Sequence, residues 1–206
     1  MDLAQLSQCR SIDEVISGLK GTIYYSPLES LRQKGQAVLP ACETAVDMLY
    51  FKTVWKIKEK YLSGQEKKDL TQCFGTRMDM LNLQWICRAK KYYHLPEGEI
   101  YAMIIPISLH LKKTEIRAMA QAEDVEQVYA LIRNSWYGRL DLGNLEKGQS
   151  LEEPCREVID RIYELTSRKE PYSASVLNSY LYFKEREIEK IITTIERIRY
   201  GVAAGI

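Results

Sequence analysis

The chain has 206 residues, of which 46% are hydrophobic and 28% are charged, a composition typical of a soluble globular protein with a real core. Its 29 basic and 28 acidic residues give a formal net charge of +1, which excludes the chain-wide positive field expected of a nucleic-acid-binding protein. Five widely spaced cysteines, none of them in a Cys-x-x-Cys pair, favour reduced thiols in a cytosolic protein over disulfides or a zinc site.

No segment of the sequence predicts insertion into a membrane. Residues 1–5 contain neither a basic start nor an apolar run, so we expect no secretory signal. The longest apolar stretch, residues 101–109, is interrupted by Pro106 and is far shorter than the ~20 residues that span a bilayer. If the protein works at a membrane, we expect a partner to bring it there.

The first part of the chain predicts four helices. Ser11 followed by Glu14 has the form of a capping box, in which the two side chains satisfy free backbone N–H groups at the start of a helix. Gly21 is expected to end that helix, and Pro40 is expected to begin a long one. The predicted helices cover residues 3–8, 11–21, 28–34 and 40–62, with a turn at 22–27.

The next predicted helix, residues 66–93, is apolar almost all the way round, which is typical of a helix at the centre of a protein. We expect it to end before a turn at residues 94–96, which contains Pro96. Asp79 and Asn82 lie one turn apart on this helix. Because a buried polar group without a partner destabilises the fold by about 1–3 kcal/mol, both side chains must find hydrogen bonds. We therefore interpret them as a latch that holds the central helix to a neighbouring loop.

The second part of the chain predicts a short apolar segment, residues 100–109, and four further helices. Gly138 is expected to end the second of these helices, and Pro171 the third. The predicted helices cover residues 114–122, 124–134, 151–168 and 173–200, and residues 143–148 are predicted to form a loop.

The last predicted helix carries an apolar seam with a heptad pattern. Its members alternate four and three positions apart, with Lys184 as the one polar interruption. The seam consists of Leu177, Leu181, Lys184, Ile188, Ile191, Ile195, Ile198 and Val202. We favour packing of this seam inside the protein's own helical bundle, and an intermolecular coiled coil is the alternative.

The sequence contains an internal repeat. When the sequence is aligned with itself at one constant shift in residue number, here called the first offset, Tyr24 aligns with Tyr137 and Cys42 with Cys155. A slightly smaller shift, here called the second offset, aligns Asp79 with Glu187. We therefore predict two tandem helical units, residues 1–113 and 114–206, each with short helices followed by two paired long helices.

Catalytic interpretations fail on the residues present. Residues 18–22 resemble a phosphate-binding loop only superficially, because the spacing is wrong and a helix precedes them. Glu185 and Glu189 share a helical face, but the partner ligands of a carboxylate-bridged metal site are missing, and a solvated charged face explains them better. With His94 and His110 as the only histidines, a Ser/His/Asp set cannot be assembled. We therefore expect no catalytic residue, metal or cofactor.

Three motifs, in this order along the chain, resemble the C subunit of V-type and A-type ATPases, which is called d in eukaryotes. The first motif is Asp79-x-x-Asn82-Leu-x-x-Ile-x-Arg88, on the central helix. The second is Glu126-x-Val-x-x-x-Ile-x-x-Ser-x-Tyr137. The third is Tyr180-x-x-x-Lys184-Glu-x-Glu187-Ile, on the closing helix. The chain is similar to a shortened form of that protein.

This resemblance implies an all-α, funnel-wall-like bundle that is a non-catalytic subunit of an ion-transporting or proton-transporting ATP synthase. Its implied partners are the central-shaft subunits and the membrane rotor ring, which would place it in the cytoplasm and at the membrane periphery. Arg88, Lys91 and Arg199 are candidate partner contacts because they lie near the ends of long helices. The alternative is a stand-alone helical scaffold that binds a soluble protein.

Overall fold

A computed structural model of the chain describes residues 3–140, 142 and 150–201. The all-α prediction is confirmed, and no strand occurs within these residues. The helices are α1 (Leu3–Leu6), α2 (Ile12–Gly18), α3 (Tyr25–Gln33), α4 (Leu39–Tyr61), α5 (Gly64–Arg88), α6 (Glu97–Met103), α7 (Lys113–Gln121), α8 (Val125–Asn134), α9 (Glu152–Ser167) and α10 (Ala174–Arg199). A π-helical turn, Ala89–Tyr93, extends α5, and a 3-10 turn, Trp136–Leu140, follows α8.

The starts of corresponding helices repeat with the first offset. The Ser11 hydroxyl accepts the backbone N–H of Glu14 at the start of α2, at 3.2 Å, which confirms the Ser11 half of the predicted capping box. The Glu14 carboxylate accepts the N–H of Arg10 instead, at 2.8 Å. Asp124, at the corresponding position of the second unit, accepts the N–H of Gln127 at the start of α8, at 2.8 Å. The first residues of the long helices α4 and α9 are related by the same offset. The division into units at residue 113 stays a prediction.

Helix α5 is the central element of the fold. It packs against α4, α6, α8, α9 and α10. The largest group of buried apolar residues, here called the central cluster, joins α5 and the segment after it to α7, α8 and α9. Its members are Met80, Leu83, Ile86, Cys87, Ala89, Ile100, Ile104, Leu111, Ile116, Met119, Ala120, Ala122, Val128, Tyr129, Ile132, Tyr137, Leu142, Leu151, Cys155 and Val158.

A second group, the N-terminal cluster, is much smaller. Its buried members among the described residues are Ile16, Leu19 and Leu28, from α2, the turn after it and α3. Partly buried residues of α4, including Cys42 and Val46, pack against them. The core is therefore concentrated where α5 meets the helices that follow it.

Two proline-containing segments are helical where the sequence analysis predicted none. Helix α3 begins at Tyr25, before the predicted start, because proline is tolerated in a first turn and Pro27 occupies the first turn of α3. Helix α6 covers part of the segment predicted as merely apolar. Pro96 caps its start, and Glu97 and Glu99 lie in its first turn, where negative charge is favourable.

Other boundaries differ less. Gly138, predicted to end α8, lies inside the 3-10 turn that follows. The predicted loop at residues 143–148 lies outside the described residues. The helical run through α5 ends as predicted at Tyr93, where His94 adopts a left-handed conformation with φ of 47°.

The predicted packing of the α10 seam inside the bundle is wrong. The apolar seam members from Leu177 to Ile198 are exposed, and Val202 lies outside the described residues. The buried face of α10 carries Ser175, Ser179 and Tyr182 instead, and the Ser179 hydroxyl donates to the Tyr163 carbonyl at 3.0 Å. Small hydroxyl residues let α10 approach α9 closely, so heptad spacing alone did not reveal the packed face.

Candidate partner-binding site

The predicted latch fixes α5 to residues 104–112, here called the connecting segment, which join α6 to α7. Within the fold, Asp79 is fully buried. Its carboxylate accepts the backbone N–H groups of Leu109, His110 and Leu111, at 3.1, 2.7 and 3.2 Å. It also accepts the hydroxyl of Tyr137, at 2.7 Å. One carboxylate therefore anchors both the connecting segment and the turn after α8.

Asn82 makes a reciprocal pair with the backbone of Ile105. Its amide nitrogen donates to the Ile105 carbonyl at 3.1 Å, and the Ile105 N–H donates to the Asn82 oxygen at 2.8 Å. Both residues are buried. Because each partner satisfies the other's donor and acceptor, this pair sets the register between α5 and the connecting segment.

Burial dominates the titration of the latch. It raises the pKa of Asp79, while the hydrogen bonds from His110 and Tyr137 act in the opposite direction. Burial and the neighbouring Asp79 raise the pKa of Tyr137 far above its ordinary value, so the tyrosine keeps its proton and donates it. Burial also lowers the pKa of His110, whose ring stacks on Trp136 with the ring centres 3.6 Å apart.

Burial also makes the thiols of the core unreactive. Burial raises the pKa of Cys73 to about 11 and that of Cys87 to about 12. Since the thiolate is the reactive form, both side chains remain protonated and inert at neutral pH.

Helices α5, α9 and α10 form an open charged groove with a volume of about 170 Å³. This feature, here called the charged groove, is lined mainly by arginines and glutamates, with a few apolar residues. The lining residues are Arg77, Leu81, Gln84, Arg88, Glu152, Arg156, Ile159, Tyr182, Glu185, Arg186 and Glu189.

Ion pairs join the helices on either side of the charged groove. Arg77 of α5 lies 3.6 Å from Glu185 of α10, and the Arg88 Nε donates to Glu152 of α9 at 3.1 Å. Half-exposed pairs of this kind contribute only about 0–1 kcal/mol each to stability. The fold therefore depends little on either ion pair.

Two of the three predicted contact residues lie together. Arg88 lines the charged groove, and Lys91 lies one turn further on, beside a small pocket that Arg88 and Glu152 also line. Arg199 lies outside both features, in the exposed last turn of α10, with its guanidinium 5.6 Å from the centre of the Tyr200 ring. The contact roles of all three residues stay predictions.

The remaining two motif residues occupy less buried positions than the latch. Tyr24, the repeat counterpart of Tyr137, is partly buried beside the N-terminal cluster. Glu187, the counterpart of Asp79, is exposed and pairs with Lys184 at 2.6 Å.

The chain matches a known protein family over nearly its whole length. Residues 1–205 match the family model of the ATP synthase (C/AC39) subunit. The chain belongs to this C/AC39 family. No solved structure matches the chain.

Curated relatives in the C/AC39 family are named as C subunits of A-type ATP synthases. The protein of Pyrococcus abyssi (strain GE5 / Orsay) is 26% identical over 205 residues, which cover 96% of this chain and 54% of the relative. That of Methanobrevibacter smithii (strain ATCC 35061 / DSM 861 / OCM 144 / PS) is 24% identical over 206 residues, which cover 95% and 53%. The chain thus spans about half the length of the curated relatives it matches.

Sequence reasoning missed most of the charged groove in this C/AC39-family chain. Arg77, Arg156 and Arg186 were not singled out, and Glu185 was interpreted only as part of a solvated face. No local signal could have found the charged groove, because its members come from helices that are far apart in the sequence. Within the described residues, no three or more potential ligands lie close enough together to hold a metal ion.

The described helices include none that is both long and apolar enough to cross a membrane.

Proposed function

We propose that this chain is a non-catalytic rotor-adaptor subunit of an A-type or V-type ATP synthase. In this role it connects the central shaft to the membrane ring during ion transport. The observation that carries the proposal is the match of residues 1–205 to the C/AC39 family. The relatives, named as C subunits of A-type ATP synthases, are about twice as long as the matched region.

The latch supports a mechanical role. An adaptor that transmits torque needs a stiff path between its two contact surfaces, and buried hydrogen-bonded networks provide one. Asp79 and Asn82 bind α5 to the connecting segment and to Tyr137. A load applied to α5 therefore passes directly to the second unit.

The charged groove supports a contact with a polar, mixed-charge partner such as a helical shaft. Its arginines and glutamates are interleaved, and complementary charges set specificity and association rate more than raw affinity. Arg88 and Lys91 are our candidate contacts with such a shaft, and Arg199 is a further candidate in the last turn of α10. In this function the chain is cytoplasmic and peripheral to the membrane through its partner subunits, and it needs no metal, cofactor or nucleic acid.

The test is purification of the tagged chain from native membranes of its host. We expect ring and shaft subunits to co-purify with it. The variant Arg88→Glu should reduce their recovery at least about tenfold, the size of effect seen when a buried contact charge is lost. Arg117→Glu, on the exposed face of α7 and away from the charged groove, is the matched control and should leave recovery unchanged.

Recovery of the chain only from the soluble fraction, without ring or shaft subunits, would contradict the proposal. That result would favour the alternative, a stand-alone helical scaffold with a soluble partner.

A further inference from the structure

A second groove, separate from the charged groove, lies between α4, α5 and α6. It is open to solvent and has a volume of about 200 Å³. This feature is here called the tryptophan groove. The described residues that line it are Thr44, Asp47 and Met48 of α4, Trp85 of α5 and Met103 of α6.

Asp47 is the one charged residue among those that line the tryptophan groove. It is exposed, and within the part of the chain that the structure describes its carboxylate has neither a hydrogen bond nor an ion pair. The helix dipole does not explain its position, because Asp47 lies in the third turn of α4 and the dipole favours acidic residues in the first turn. The tryptophan groove therefore offers a cation a negative charge and acceptor oxygens.

The walls of the tryptophan groove suit the apolar part of such a cation. Met48 and Met103 are partly buried, and methionine side chains are flexible enough to adapt to an aliphatic chain. Trp85 is also partly buried, and its ring contacts Phe51 with the ring centres 6.4 Å apart and the ring planes at 67°. Among the described residues, no ring stacks flat on the Trp85 indole. Indole faces are the aromatic surfaces that bind lysine and arginine cations best.

The internal repeat shows which cation such a carboxylate can bind. The first offset aligns Asp47 with Asp160 of α9. Asp160 accepts a hydrogen bond from the guanidinium of Arg186 at 3.2 Å and one from the hydroxyl of Tyr182 at 2.6 Å. Both donors belong to α10. At the repeat position of Asp47, therefore, the chain itself binds an arginine side chain.

The first unit lacks the residues that satisfy this carboxylate in the second. The second offset aligns Tyr182 with Phe74 and Arg186 with Met78, both on α5. Neither phenylalanine nor methionine can donate a hydrogen bond to a carboxylate. The arginine that binds Asp160 thus has no equivalent for Asp47 within the repeat.

We propose that the tryptophan groove binds an arginine side chain of a partner protein, with its guanidinium on the Trp85 indole and the Asp47 carboxylate. The planar guanidinium suits both contacts, because it stacks on aromatic faces and donates two parallel hydrogen bonds to a carboxylate. Its methylene groups pack against Met48 and Met103, as arginine stems do on apolar surfaces. The proposal does not depend on the function proposed above.

The first test is a titration of the isotope-labelled full chain with N-acetyl-arginine amide, followed by NMR at the indole N–H of Trp85. The variants Trp55→Phe and Trp136→Phe identify that resonance. We expect a saturable shift with the arginine probe and none with N-acetyl-citrulline amide, which has nearly the same shape but no charge. The absence of a saturable shift with the arginine probe, or an equal shift with the citrulline probe, would overturn the proposal.

The second test removes the charge of the tryptophan groove. Asp47→Asn keeps the shape of the side chain and should weaken binding of N-acetyl-arginine amide at least about tenfold, because a charge-assisted hydrogen bond is lost. Glu43→Gln is the matched control, since Glu43 is an exposed acid one turn earlier on α4 that does not line the tryptophan groove. It should bind the probe like wild type. Equal affinities of Asp47→Asn and wild type would contradict the role of Asp47.

The third test asks whether the occupant is a side chain or a free amino acid. Free arginine carries the same net charge as N-acetyl-arginine amide, but its amino and carboxyl groups are unblocked. A groove that receives a side chain contacts only the guanidinium and its stem, so we expect similar affinities for the two probes. Much tighter binding of free arginine would assign the tryptophan groove to a free amino acid and would overturn the proposal of a protein partner.

Discussion

The central cluster and the N-terminal cluster are built from helices in the same order, yet they differ greatly in size. After α5, the helices α8 and α9 pack directly against it, and α7 packs on α8, so that all of them contribute buried residues to the central cluster. In the first unit, no described helix covers α2, α3 and α4 as α5 covers their counterparts, and only Ile16, Leu19 and Leu28 are buried in their cluster. The local sequence is similar, so the difference lies in what covers it.

This comparison shows that α5 completes the core of the helices that follow it. Helix α5 belongs to the first predicted unit, but its buried face forms the core of the second. In quasi-one-dimensional proteins, stability comes from the interfaces between neighbours as well as from each repeat. We therefore expect the largest stability effects at the α5 junction and small effects at the matching exposed positions.

The largest expected effect is the removal of the latch carboxylate. Asp79→Ala leaves the backbone N–H groups of His110 and Leu111, and the Tyr137 hydroxyl, without their acceptor. We expect a loss of about 3–5 kcal/mol in the free energy of unfolding, measured by chemical denaturation. Glu187→Ala at the repeat-equivalent exposed position is the control and should leave the midpoint unchanged. Equal losses at both positions would contradict the comparison.

The apolar side of the junction gives the next effect. Leu83→Ala opens a cavity in the central cluster and should cost about 2–5 kcal/mol. Its counterpart Ile191 is exposed on α10, so Ile191→Ala should change the stability of the monomer by less than about 0.5 kcal/mol. Both variants are measured by thermal unfolding at a low protein concentration. Similar shifts in Tm for the two variants would show that Leu83 on α5 and Ile191 on α10 are equally buried, which would contradict the comparison.

Asn82→Leu tests the second half of the latch. The substitution leaves the backbone N–H and carbonyl of Ile105 without their partner. We expect the free energy of unfolding to fall by about 1–3 kcal/mol, read from the urea midpoint. An unchanged midpoint would mean that water satisfies these groups and that Asn82 does not hold the register.

The smallest effect is a pH dependence that arises from His110. Burial lowers the pKa of His110 below its ordinary value of 6.5. The contribution of neutral His110 to the free energy of unfolding should therefore be fully present above that value. It should be lost as the pH falls through the lowered pKa of the folded state. His110→Phe, which keeps a ring for Trp136 to stack on, should remove this part of the loss.

Asp79 is the charged neighbour of His110. Because its pKa is raised in the folded state, its protonation stabilises the fold as the pH falls, which opposes the loss caused by His110. The measurement is therefore the difference in stability between His110→Phe and wild type at each pH from 7 to 5. A difference that does not change with pH would contradict a role for His110.

The latch was predictable from the sequence because it is a local signal. Asp79 and Asn82 stand out as polar residues in an otherwise apolar helix, and burial forces such groups to find partners. The Ser11 cap was predictable for the same reason, since Glu14 follows it at a fixed spacing. The repeat was predicted from matches such as Tyr24 with Tyr137 and Cys42 with Cys155, and the caps Ser11 and Asp124 are related by the same first offset.

The charged groove and the free face of α10 were not predictable in the same way. Arg77 and Glu185 are far apart in the sequence, and nothing local indicates that their helices meet. The α10 seam shows that periodicity identifies an apolar face without showing what covers it. Pro27 and Pro96 were interpreted as parts of turns, whereas each lies at the start of a helix, where proline fits equally well.

The most direct test of this account is hydrogen exchange of the monomeric chain, read segment by segment by mass spectrometry. If the core lies at the α5 junction, the slowest exchange should occur in α5, α8 and α9. Helices α2 and α3 and the last turns of α10 should exchange much faster. Protection of α2 and α3 equal to that of α8 would contradict the claim that the covering helix α5 is what stabilises the second unit.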